Sequence, residues 1–218
     1  MAAARKRLFL QLADKADWLN HYDPQGAGVF VPGSDPPAVN DAVRIDLRIE
    51  GGPRLLLAGT VLWRRTEGDE KIPPGAGIAI DSSDGEKINY LNGYVRGGLL
   101  DLRELRRLPM RLPAKFESPT GVRQGHTRDI NEEGLFIVTP QPLLVGDRTT
   151  IILTAPTGGG TSVLTAHVTY VMDEDDGGPG MGFKLEFSDG ELYARHVERV
   201  HEWEKALVEG NLPDEALG

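Results

Sequence analysis

The stretch RRLPMRLPAKFESPTGVRQGHTRDINEEGLFIV, residues 106–138, opens on clustered arginines and passes through the short apolar segment LPAKF and a turn containing Gly121. It ends on Asp129-Ile-Asn-Glu-Glu-Gly134 before the apolar run LFIV. Between Arg103 and Arg128 stand six arginines, Arg103, Arg106, Arg107, Arg111, Arg123 and Arg128, against the single Lys115. The chain as a whole carries a formal charge of -9, so this cluster opposes the global field. A guanidinium offers a planar fork of donors that matches phosphate oxygens or the O6/N7 edge of guanine, and it stacks on flat rings. On charge alone, a solvated linker between two domains accounts for the cluster as well or better. The second half of the stretch points to a ligand. A carboxylate at Asp129 accepts from donors such as N1 and N2 of guanine, Asn131 hydrogen-bonds beside it, and Gly134 lets a ligand approach the backbone.

Working outward, the end of this stretch begins an internal repeat. Gly28–Asp41, GVFVPGSDPPAVND, aligns without a gap on Gly134–Asp147, GLFIVTPQPLLVGD. Downstream, GTVLW (Gly59–Trp63) answers AHVTY (Ala166–Tyr170), PGAGIAI (Pro74–Ile80) answers PGMGFKL (Pro179–Leu185), and SDGEKINYL answers SDGELYARH. A period near one hundred residues marks a duplicated domain rather than a solenoid unit. Runs such as VRIDLRI, TTIILT and GFKLEF alternate or are rich in β-branched residues, and Gly, Pro and Asp separate them, so each half reads as mainly β. Each half ends in SDG followed by a helical pattern. In the second, Leu192, Val197, Val200 and Trp203 recur near helical spacing, with Ser188 as the expected N-cap and Glu191 completing a capping box.

Arg107-x-x-x-Arg111 followed by Asp129-x-Asn131-x-x-Gly134 resembles the PilZ domain pattern, R-x-x-x-R and then, about twenty residues on, [DN]-x-S-x-x-G. The resemblance covers roughly residues 101–205, and Asn131 departs from it where the family usually has serine. It implies two tandem PilZ-like antiparallel β-barrels, each closed by a C-terminal helix, the first degenerate. It also implies cyclic di-GMP as the ligand, bound by Arg106, Arg107, Arg111, Asp129, Asn131 and Gly134. The expected division is a degenerate domain over 1–98, a linker and arginine switch segment over 99–111, the PilZ domain over 112–209 and a tail over 210–218. In the first copy Asp23, Gln25 and Gly28 align on the second motif, and Arg7 matches Arg111 without a partner arginine. That copy is expected to serve dimerisation, partner contact or orientation rather than binding.

Other functions have less support. Without cysteine there is no disulfide and no thiolate metal site. The five histidines are scattered, and the five-residue spacing of His196 and His201 does not suit zinc, so no metal or other cofactor is expected. Asp173-Glu-Asp-Asp lacks the ligand pattern of an EF-hand. No catalytic constellation emerges, so the chain is not read as an enzyme. The basic N-terminus precedes an apolar run too short for a signal peptide, and no stretch is long enough to span a membrane; the expected location is the cytoplasm. Net negative charge disfavours nucleic acid as a partner. The expected function is a cyclic di-GMP receptor that changes domain orientation and signals to a protein partner, with motility or biofilm control as the usual setting. The alternative is a ligand-independent scaffold in a motility or signalling complex.

Overall fold

A computed structural model of the protein describes residues 5–26, 28–68, 73–95, 107–156, 159–173 and 178–218. The first half runs β1 (Lys6–Leu12), α1 (Trp18–His21), β2 (Tyr22–Asp23), β3 (Gly28–Pro32), β4 (Ala42–Ile49), β5 (Arg54–Arg65), β6 (Gly75–Ile80) and α2 (Gly85–Val95). The second runs β7 (Pro113–Ser118), β8 (Gly121–Ile130), β9 (Gly134–Val138), β10 (Arg148–Thr154), β11 (Thr161–Met172), β12 (Gly180–Glu186), α3 (Gly190–Val208) and α4 (Asp214–Leu217). The linker and arginine switch segment expected over 99–111 falls mostly outside the described residues, and so does Arg106.

The fold is mainly β, and the repeat persists down to its irregularities. The β5–β6 ladder slips between Val61 and Trp63, and β11–β12 slips between Val168 and Tyr170. Each bulge lays a ring flat over a glycine across the ladder. A Cβ on Gly77 would come within 2.1 Å of Trp63, and one on Gly182 within 2.1 Å of Tyr170. Trp63 is therefore 43% exposed, a surface ring stacked on Phe30 at 5.6 Å.

The two halves differ at the seam. In the second, the β7–β8 hairpin joins β9 on one side and β10 on the other, closing an antiparallel six-stranded barrel. The first half is not a closed barrel. Its sheet is open in the order β1-β4-β5-β6-β3-β2, and β1 pairs parallel to β4. The cause is local: where the second half has the ten-residue β8, the first has a turn, α1 and a two-residue β2, too short a ladder to reach β1. Trp18 fills the gap. Its ring is fully buried, stacks on Tyr22 at 4.9 Å and donates from Nε1 to Asn92 of α2 at 3.0 Å.

Helix α3 buries His196, Val200, Trp203 and Leu207 against the barrel, each large apolar side chain contributing about 1.5–3 kcal/mol. Its N-cap is Asp189, not Ser188. Asp189 takes the extended cap conformation and accepts from Leu192 N at 2.9 Å, a stronger acceptor than a hydroxyl at the positive end of a helix, while Ser188 Oγ donates to it. Beyond α3, the residues expected as a tail are packed, with Leu212, Ala216 and Leu217 buried. Arg111 N donates to Ala216 O at 2.8 Å, and Asp214 pairs with Arg7 and Arg54 of the first half at 2.9 and 2.7 Å. Both arginines also converge with Arg48 on the buried Asp46. Among the described residues no helix is long and apolar enough to cross a membrane.

Candidate functional site

The arginine segment is stitched to the barrel along β8. Leu108 N donates to Ile130 O at 2.7 Å and Ile130 N to Leu108 O at 3.0 Å. Further on, Thr127 N donates to Leu112 O, and the Thr127 hydroxyl donates to Met110 O and accepts from Leu112 N. Leu108, Met110 and Leu112 are buried, while Arg111 between the last two is exposed.

Arg107 lands on the second motif. Its Nη1 donates to Asp129 Oδ1 at 2.5 Å, and Arg128 Nε donates to Asp129 Oδ2 at 2.9 Å. The Asp129 side chain has no exposure, so both of its oxygens are satisfied by guanidinium groups rather than water. Burial works to lower the Arg107 pKa, but the charge and hydrogen bond of Asp129 outweigh it and hold it above its ordinary value. Arg128 also lies over the Phe136 ring at 3.8 Å, a cation–π contact. The bulge between Thr127 and Asp129 lets these neighbouring residues of β8 share the cluster.

Asn131 shapes the β8–β9 turn. Its Oδ1 accepts from Gly134 N at 2.8 Å and Glu133 N at 3.1 Å, and its backbone oxygen is bonded by His196 of α3. Gly134 is needed for space: a Cβ there would lie 2.5 Å from Phe183 O and 3.6 Å from Arg107 Nη2. Gly134→Ala is therefore expected to destabilise the barrel by about 1–3 kcal/mol, read from urea unfolding.

Arg111 is not in this cluster. It donates to Nε2 of His126 at 2.9 Å, which fixes the imidazole with its proton on Nδ1. Burial, and behind it the Arg111 charge, pull His126 down to about 4, so it stays neutral near pH 7. His126 lines a cleft of about 580 Å³ between the halves, with Arg111 and Arg128 on one side and Arg5, Arg44 and Lys87 on the other. The first-half cations have no sequence signal, because only the apposition of the halves brings them there. Arg128 had one, an arginine next to the motif's aspartate. Among the described residues no group of three or more His, Asp or Glu could hold a metal ion.

The first copy has no such cluster among its described residues. Asp23 pairs with Gly28, whereas Asp129 pairs with Phe136, so the aligned aspartate sits at the hairpin end and caps Gln25 N. Arg7 is engaged by Asp46 and Asp214.

The family model of the PilZ domain matches residues 101–200. No curated protein matches the chain. Among solved structures, the chain is similar to the PilZ domain with c-di-GMP of YcgR from Escherichia coli, at 13% identity over 48% of this chain and 93% of that one, TM-score 0.40. It is also similar to the Bacillus subtilis inhibitor of motility MotI/DgrA, at 11% identity over 70% and 68%, TM-score 0.40. A third is the MrkH–c-di-GMP complex of K. pneumonia, at 12% identity over 81% and 76%, TM-score 0.37. The matched span contains both sequence motifs and the closed barrel that carries them, so it is residues 101–200 that match the PilZ domain.

Proposed function

We propose that the protein is a cyclic di-GMP receptor whose second half binds the ligand at Arg107, Arg111, Asp129, Asn131 and Gly134. The observation that carries this reading is the meeting of Arg107 with Asp129, beside Gly134, in a domain matching the PilZ family. Arg107 and Arg111 clasp phosphate oxygens and stack on guanine. Asp129 holds Arg107 and Arg128 in place, and the Asn131 turn keeps the strand edge in shape. Binding signals to a protein partner through a change in how the halves sit. Leu108 and Leu112 are hydrogen-bonded to β8, so they stay with the barrel in that change. Arg106 belongs to the same proposal and lies outside the described residues. Calorimetric titration of cyclic di-GMP onto the full chain tests the reading: saturable binding supports it, and a flat titration at high micromolar ligand overturns it.

One observation favours the ligand-independent scaffold: both Asp129 oxygens and Asn131 Oδ1 already have partners within the protein. A flat titration with the fold intact is the result that reading predicts.

A further inference from the structure

The cleft between the halves holds five cationic side chains, Arg5, Arg44, Lys87, Arg111 and Arg128, against the two acids Asp84 and Glu86, in a chain that is acidic overall. Most of these groups are committed. Lys87 donates to Leu56 O at 2.7 Å and pairs with Asp84 at 2.9 Å, and Asp84 also accepts from Ala58 N. Arg5 lies 3.5 Å from Asp81, and Arg128 holds Asp129 and lies 3.9 Å from Glu86. Two guanidinium groups remain. Arg111 has only the neutral His126 as a side-chain partner among the described residues. Arg44, half-buried on β4, has no side-chain hydrogen bond or ion pair among them. The two lie close enough to Lys87 that their charges, after burial itself, lower its pKa against the pull of Asp84.

A guanidinium that faces an open cleft without an acceptor presents five donors in a fixed fork, the complement of a phosphate. We infer that Arg44 of the first half is a phosphate ligand for the bound nucleotide, acting with Arg111 of the second across the cleft. The inference rests on the cyclic di-GMP reading and extends it to a half of the chain that the binding motifs do not reach. The cleft, at about 580 Å³, is within the range of small-ligand sites. Its wall includes Arg128, the residue that holds Asp129, so the cleft reaches the edge of the motif cluster. Cyclic di-GMP carries two phosphodiesters, one negative charge each. The ligand thereby joins the two halves instead of sitting on one of them.

The test is calorimetry of cyclic di-GMP on the full-length wild type, Arg44→Ala and Arg44→Lys, with melting temperatures recorded in parallel. Arg44→Ala is expected to weaken binding about 10- to 100-fold. Arg44→Lys, which keeps charge without the fork, should recover part of that loss. Because Arg44 makes no side-chain bond among the described residues, its melting temperature should match the wild type; if Arg44→Ala melts early, the Arg44→Lys affinity decides instead. Wild-type binding with Arg44→Ala equally tight, or with a destabilised Arg44→Ala and an unweakened Arg44→Lys, overturns the role of Arg44 and leaves the receptor reading standing. A wild type that does not bind overturns both.

Discussion

Charge reversal at Arg107 is expected to abolish cyclic di-GMP binding while the barrel stays folded. Arg107→Glu removes two charge-assisted hydrogen bonds to the ligand, worth about 1.5–3 kcal/mol each, which is roughly a hundred- to ten-thousandfold in affinity before repulsion is added. The fold tolerates the change for two reasons. The segment is held by the backbone of Leu108 and Leu112 and not by the Arg107 side chain, and Asp129 retains Arg128. Breaking a buried pair costs about 3–5 kcal/mol, and a glutamate beside the buried Asp129 puts the cost at the upper end even with Arg128 kept. That does not exceed the roughly 5–15 kcal/mol a domain commonly has. Circular dichroism should show a native strand signal beside a flat titration. A variant that binds within tenfold of the wild type would remove Arg107 from the site.

The largest effect on stability is expected at Asp46, where Arg7, Arg48 and Arg54 converge on a carboxylate with no exposure. Asp46→Ala leaves three guanidinium groups facing one another, at about 3–5 kcal/mol. Asp46→Asn, which keeps the shape and one acceptor, should fall between it and the wild type. Burial pushes the Asp46 pKa up, but hydrogen bonds from Arg54, Arg48 and Arg7 overcome it and hold the group well below the usual carboxylate range. A folded pKa below the unfolded value near 3.9 means the stabilisation is present above that pH and is lost as pH falls through it towards the folded value. Urea unfolding of wild type and Asp46→Asn should therefore differ at pH 7 and converge as the pH drops below about 4. A gap that stays constant with pH would show that the charge of Asp46 contributes nothing.

These two sites differ in how far the sequence discloses them. The family resemblance implies that Arg107 and Asp129 share a site, and the structure brings them together because β8 runs antiparallel to the arginine segment. The strands downstream of Gly28 and Gly134 are legible for the same reason, since alternation and turn residues act locally. The open seam is not, because it depends on Trp18 reaching Asn92 of α2, 74 residues away. Nor is the engagement of Arg7, which the repeat register offers as a counterpart of Arg111 but which is captured by Asp46 and Asp214. Asp23 shows the limit of gapless alignment: a shorter hairpin carries the matched residue to a different rung. The packed tail had a faint signal in Leu212, Ala216 and Leu217.

The ion pair between Arg7 and Asp214 spans 207 positions of the chain. A polypeptide leaving the ribosome can assemble the first sheet, then the barrel, each from neighbouring strands, yet this clasp between them must wait until Asp214 has emerged. Folding should accordingly end with a late docking step that is slower than the formation of either half.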